Sequence, residues 1–435
     1  MTWLRWILLL SVSAVACGCG SAPPLAKPTS PERRQAYGKL EGLRRTQHPE
    51  LQAELARLHA ENALPEQLDQ GQPPEAAADP LLLVLPHFSR RALTEQVDDV
   101  FPRGDFALGP AERLAARGIL SRQQSARERF AAVIAEERGR RSLFTDGWLS
   151  SPDFWDGCQL GARLHGLAGA DLLADNAAQS ATEALRVVLQ TADVLDRQDR
   201  LTARLAGAKV RGEGLRLALA IARHPACDLP TLARLNELLE QTLASRPSDA
   251  RALFGERALG LQMFELVRDG YFLSLLDEDE TKSLQERNIL LVTAKAALQN
   301  VDADEWFYLQ AMRRLIAAGE RPYCGRRELL TTLRRELETR RNTADFPLVS
   351  GMVLLHDFDT AQRRLAEDHA RTIALRVAVQ RAAGSQLATD ELNPLTGRPF
   401  RVELESDRVV VRDILPAGDE PLTLPLRRQT TSLPR

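Results

Sequence analysis

Between about residue 110 and residue 383, apolar side chains recur at helical spacing, and this constrains the fold more than any other feature of the chain. Leu185, Val188, Leu189, Ala192 and Leu195 fall at i, i+3, i+4, i+7 and i+10, which places them on one face of a helix. Leu229, Leu232, Leu235, Leu239 and Leu243 repeat the pattern, as do Leu329, Leu330, Leu333 and Leu337. The breaks are short and carry proline: ARHPACDLP (222–230), SRPSD (245–249) and AGERPYCG (318–325). Helices parted by such breaks bury their apolar stripes on one another. The spacing therefore predicts an all-α fold, an antiparallel helical bundle or a solenoid-like array. At 435 residues and 44% hydrophobic the chain can bury a large core.

Residues 32–390 read as this helical domain, with room for a subdivision near 65–109. A first helical pair is expected over about 31–63. PEQLDQGQPPEAAADP (65–80) reads as a polar, proline-rich loop, and LLLVLPHFSRRAL (81–93) is ambiguous between strand and helix. NPLTGRPFRVELESDRVVVRDI (393–414) departs from the helical pattern. Asn393-Pro394 starts a turn, Gly397 permits a positive φ, and FRVEL and RVVVRDI form the arms of a β-hairpin. A lone hairpin is marginal in water. The unit over 391–415 should therefore rest on the helices through Phe400, Val402 or Val410, while 416–435 reads as a mobile tail.

The opening MTWLRWILLLSVSAVACGCGSAPP has a basic Arg5, an apolar run from Trp6 to Ala16 too short to span a bilayer, and small residues before Cys17. Residues 1–19 resemble a bacterial lipoprotein signal. The resemblance implies lipid attachment at Cys17, with Cys19 as the fallback, since Ala14 stands where Leu is usual. It implies a membrane-anchored protein of the cell envelope facing the periplasm or exterior, with residues 20–31 as a Pro/Ala/Ser tether. Beyond the signal, Cys158, Cys227 and Cys324 have no paired spacing; small buried residues are expected, at least one of them a free thiol. The net charge of −2 gives no bulk electrostatic case for nucleic acid. Only five of the 57 basic residues are Lys, a skew that coding bias also produces.

Two further passages carry a resemblance. One is the run from Ser180 to Ala222, SATEALRVVLQTADVLDRQDRLTARLAGAKVRGEGLRLALAIA, leading to ALFGERALGLQMFE at 252–265. The other is the NPLTGRPFRVELESDRVVV ending. Together they resemble a group of uncharacterised exported helical proteins and lipoproteins of planctomycete-type bacteria, which usually show Asp-Pro-Phe-Thr-Gly at the turn. Asn393 and Leu395 replace the Asp and Phe of that pattern. The resemblance implies export and brings no activity.

Four clusters could carry chemistry. FTDGWLSSPDFWDGC (144–158) gathers Asp146, Trp148, Asp153, Phe154, Trp155 and Asp156. Aromatics beside carboxylates build sugar clefts, so Asp153, Trp155 and Asp156 are the candidate ligand or sugar cleft; the alternative is aromatics stapling a loop to the core. His356-Asp357 with Asp359, Asp368 and His369 is similar to the helical His-Asp arrangement of metal phosphohydrolases. His165 or His224 would supply a first ligand there, and Asp407 or Asp413 a last one inside the hairpin; Asp359 reads more simply as a helix N-cap. Asp277-x-Asp279-x-Thr281 resembles the nucleophile loop of haloacid-dehalogenase-type phosphatases, but no β/α alternation follows, so it reads as an acidic inter-helix loop. GERALG (255–260) offers a partly buried Glu256–Arg257 pair linking helices. No catalytic signature, metal set or cofactor motif stands out. The sequence favours a lipid-anchored helical scaffold or interaction protein with an unidentified envelope partner. The alternative is an envelope hydrolase, glycoside- or phosphoester-directed, using residues 146–156 or a metal at the His356 group.

Overall fold

The computed structural model describes residues 31, 32, 35, 46–68, 80–88, 91–136, 153–276, 278–341, 343, 345–385, 391–416 and 420–427. Helices dominate: α1 (Pro49–Ala60), α2 (Arg91–Val100), α3 (Pro110–Arg122), α4 (Gln124–Glu136), α5 (Asp153–Ala174), α6 (Ala178–Asp196) and α7 (Leu201–Arg223). They continue with α8 (Leu229–Ser245), α9 (Asp249–Arg268), α10 (Glu278–Glu286), α11 (Leu290–Gln299), α12 (Val301–Ala318), α13 (Tyr323–Arg340) and α14 (Phe358–Ala382). The chain closes with β1 (Arg401–Leu404), β2 (Arg408–Arg412) and β3 (Leu422–Pro425). This is an all-α fold with a small C-terminal antiparallel sheet. Among the described residues no helix is long and apolar enough to cross a membrane.

The hairpin of α6 and α7 forms the centre. α5 packs on both of them, α4 and α8 on α6, and α14 on α7 and α8. A second pair, α9 with α12, joins this body through α7 and carries α1 and the short helix Pro65–Leu68. The α6 stripe explains the centre: Leu185, Val188, Leu189, Ala192 and Leu195 are each no more than 2% exposed. Helix ends fall where proline and capping residues place them. Asp228 accepts the Thr231 N–H (2.9 Å) with proline in the first turn of α8.

GERALG is a seam between the two helical pairs. Glu256 accepts the Leu201 N–H (2.6 Å) and so caps α7 from 55 residues away. Gly255 lets the connection before α7 pass close: a Cβ there would lie 1.5 Å from the Asp199 carbonyl oxygen. Tyr308 donates to the Glu256 carbonyl oxygen (2.7 Å). The expected Glu256–Arg257 pair does not form, because successive helical residues point apart; Arg257 instead lies over the Phe254 ring, 5.1 Å from its centroid.

Several local expectations are corrected. Residues 65–68 are helical, and in the ambiguous 81–93 segment residues 81–87 are helix and 3-10 turn and residues 91–93 open α2, with 89 and 90 outside the described residues. Asp279 and Thr281 lie within α10, whose first turn carries Glu278, Asp279 and Glu280, where acidic side chains complement the helix dipole; Asp277 lies outside the described residues. Asp357, not Asp359, occupies the N-cap position of α14, and Asp359 accepts the Tyr323 hydroxyl (2.9 Å). Cys158 and Cys227 are buried and Cys324 is half-buried, all three as free thiols.

The hairpin of 401–412 is present and pairs in antiparallel register, Val402 opposite Val411 and Leu404 opposite Val409. Val409 and Val411 join the main core and are fully buried. Val402 shares their face, whereas Val410, although only 3% exposed, points to the other side by strand alternation. The anticipated mobile tail is corrected at 422–425: β3 pairs with β2, and Leu424 is fully buried opposite Val409. α14 carries both β2 and β3, and α7 touches β3. The sheet therefore rests on α14 and on α7, one of the two central helices.

Candidate functional site

A groove of about 810 Å³ lies where loop 101–109, the ends of α5 and α7, and the sheet meet. Its floor is apolar, with Phe106, Leu108, Leu173 and Leu219; its rim carries Arg216, Arg223, Arg408, Asp105 and Asp407. Arg216 and Arg223 stand seven residues apart on α7, which aligns them on one helical face. Arg223 Nε donates to the Thr423 carbonyl oxygen (3.0 Å), fastening α7 to β3, and its guanidinium is 3.9 Å from Asp105. Arg216 lies over the Phe106 ring at 5.6 Å, within cation–π range. His224 caps the end of α7, its Nδ1 accepting the Ala226 N–H (3.2 Å).

The loop has an uncommon backbone. Phe106 has a φ of +62°, and Gly104 a φ of +63°. For a bulky residue this conformation costs on the order of 1–3 kcal/mol and persists only when surroundings hold it. Here the ring is 2% exposed and meets Phe101 edge-on at 5.5 Å. The backbone reversal buries Phe106 as groove floor while Asp105 stands 93% exposed at the rim.

The residues singled out from sequence are distributed differently. Phe154 and Trp155 form an edge-to-face pair at 4.8 Å and are half-buried against the core, and Asp156 is exposed. Asp153 begins α5, but its side chain lies outside the described residues, as do Asp146, Trp148, Cys17 and Cys19. His356 pairs locally with Asp357 (3.2 Å) before α14. Asp368 and His369 lie three turns further along α14, where Asp368 accepts Arg211 (2.5 Å) and Arg246 (2.9 Å). His165 is a core histidine: it stacks on Phe130, its Nε2 is 3.2 Å from the Arg127 carbonyl oxygen, and burial pulls its pKa down to about 4. Asp413 is exposed, with a φ of +59°. Among the described residues no group of three or more His, Cys, Asp or Glu could hold a metal. Of the nominated residues, the groove takes His224 and Asp407.

Scans against protein-family models, curated proteins and solved structures found no match. The groove and the ion pairs behind it are thus read from this chain alone. A second set of charged residues lies inside the body. Arg211 on α7, 1% exposed, links Asp196 of α6 to Asp368 of α14. Arg204 (2% exposed) donates to Asp249 at 3.0 Å, and Arg326 takes the other oxygen of that carboxylate. Gly207 leaves room for this arrangement: a Cβ there would sit 2.5 Å from Asp196 Oδ1. The groove arginines and this internal set were not legible as sites, because their members are scattered along the chain and no short motif joins them. The i, i+7 spacing of Arg216 and Arg223 was the one signal available.

Proposed function

We propose that the protein is a lipid-anchored, envelope-facing helical scaffold whose groove receives an acidic, apolar-flanked segment of another envelope protein. The observation that supports this reading most is the groove itself. Three arginines from a helix and a strand, Arg216, Arg223 and Arg408, border an apolar floor held in place by the left-handed Phe106. The three rim arginines outnumber Asp105 and Asp407, and an apolar floor with such a rim complements an acidic amphipathic segment, since the rim steers and orients while floor burial supplies affinity. The lipoprotein-type start supports the anchor, with Cys17 as the attachment point.

Site-directed photo-crosslinking from position 107, on the exposed loop at the groove, tests both parts in intact envelopes. One envelope-protein adduct is expected, abolished by Arg216→Glu and by competition with an acidic amphipathic peptide. Cys17→Ser should release the protein from membranes or block its processing. An adduct indifferent to the charge reversal removes the groove from the reading. Unchanged fractionation together with an unchanged N-terminal mass for Cys17→Ser moves the anchor to Cys19.

A further inference from the structure

A cavity of about 330 Å³ opens between the α8–α9 connection, the start of α13 and α14. Arg246, Asp249, Arg321, Tyr323, Arg326 and His369 supply its polar lining. Leu243, Leu365, Ala366 and Pro394 supply apolar wall. The volume lies near the lower end of the roughly 300–1,000 Å³ range of small-molecule sites.

Arg326 has donors to spare. It stands in the first turn of α13 and is 2% exposed; its Nη2 is taken by Asp249, but its Nε and Nη1 have no hydrogen-bond partner among the described residues. Buried donors are nearly always paired, so an orphaned guanidinium edge beside a cavity calls for an acceptor. The surrounding charges point the same way. Four buried or nearly buried guanidinium groups, Arg204, Arg211, Arg246 and Arg326, face the carboxylates of Asp196, Asp249 and Asp368. A further carboxylate, Asp193, has its pKa pushed up to about 7 by burial and so supplies only part of a charge at neutral pH. At the mouth, Arg321 adds a cation and Glu320 an anion, the latter accepting from Ser248 (2.8 Å). The start of α13 is the third element. No side chain caps this 18-residue helix; the Pro394 and Pro322 carbonyl oxygens accept the Cys324 (3.0 Å) and Gly325 (2.9 Å) N–H groups, so the helix end offers chiefly its dipole, which favours negative charge. His369 does not add a cation, since burial and Arg246 pull its pKa down to about 4.

We propose that this cavity binds a small organic anion, its carboxylate or phosphate head held by Arg326 with Arg246 beside it, near the positive dipole end of α13, and its organic part against Leu365, Ala366 and Pro394. The site is separate from the groove and does not depend on the partner reading.

Calorimetric titration of the purified full-length protein tests it with three probes: inorganic phosphate, phenyl phosphate and benzoate. Saturable, stoichiometric binding is expected for at least one of the two organic anions, with a dissociation constant of about 1 mM or below. Inorganic phosphate should bind more weakly than phenyl phosphate, and the stronger organic probe identifies the head group. Arg326→Gln should weaken binding by about tenfold or more. Ala366→Leu, which fills the cavity and leaves every ion pair intact, should abolish binding while the melting of the ligand-free variant stays cooperative. It therefore decides the matter even if Arg326→Gln does not fold. No saturable binding by either organic anion, or equal affinity in wild type and folded Ala366→Leu, overturns the proposal.

Discussion

Asn393 closes the C-terminal sheet through both ends of its amide. Nδ2 donates to the carbonyl oxygens of Asp413 (3.0 Å) and Ile414 (2.9 Å), and Oδ1 accepts the Leu395 N–H (2.9 Å). The side chain is 1% exposed, so water cannot replace these bonds. Aspartate has nearly the same shape but only acceptors, and would set an oxygen against two carbonyl oxygens. Each acceptor left without a donor costs about 1–3 kcal/mol. Asn393→Asp should therefore lower stability by roughly 2–4 kcal/mol, read as a lower urea midpoint with an unchanged slope. An unaltered midpoint would show that the turn closes without this amide. The same bonds explain why an asparagine suits this position. In this chain the residue is a donor to backbone. Gly255 shows the same economy in a helix, since its missing Cβ is the space through which the Asp199 carbonyl passes.

At the scale of elements, β3 carries a load out of proportion to its length. Four residues add a third strand, and Leu424 is fully buried opposite Val409. Burying one leucine contributes about 1.5–3 kcal/mol, before the pairing with β2 is counted. Removing residues 420–435 should therefore destabilise the protein by roughly 2–4 kcal/mol, and Leu424→Asp should do comparable damage. Thr423→Ala, which leaves the Thr423 carbonyl for Arg223, should cost little. Thermal melts of the three variants check this; a truncated protein that melts like wild type would make β3 an ornament. The strand escaped the sequence because LTLP offers two leucines between prolines, too few for a period, and it is stabilised mainly by what it pairs with. The long helices were legible because each carries its own evidence, a stripe repeated over several turns: the helical spacing that runs to about residue 383 ends in α14, Phe358–Ala382. Helix-breaking runs with proline were legible for the same local reason. The groove and the ion pairs were not. Arg211 and Asp368 are 157 residues apart, and nothing in either neighbourhood names the other. Phe154 and Trp155 were legible as a cluster, yet the packing of Trp155 against the core depends on helices the motif does not contain.

Over the whole molecule, buried ionisable groups set opposing pH dependences. His165 and His369 are carried into the fold as neutral rings, their pKa values pulled from 6.5 to about 4, by burial first and then by Arg127 and Arg246 respectively. The folded state binds fewer protons than the unfolded chain between those values, so this contribution is lost as pH falls from 6.5 towards 4. Asp193, Asp304 and Glu305 act in the other sense, burial pushing them up to about 7, 6 and 7, so the folded form gains as pH falls through those values. A difference experiment separates the two. His165→Gln should be less stable than wild type near neutral pH, and the gap in melting temperature should narrow as pH drops from 6.5 towards 4. A gap constant across that range would mean that the His165 ring is protonated inside the fold. The C-terminal sheet has a consequence of another kind, in time. Val409, Val411 and Leu424 cover apolar surface of α14, and Arg427 ties its own backbone to Ala382 and its side chain to the carbonyl oxygen of His224. During synthesis α7 emerges long before residues 409–427 and α14 somewhat before them, so the growing chain waits with a sticky surface bare. Chains cut short before β2 would keep that surface open to chaperones and proteases, so the covering strands act as a molecular proofreading mark for a chain read through past residue 427.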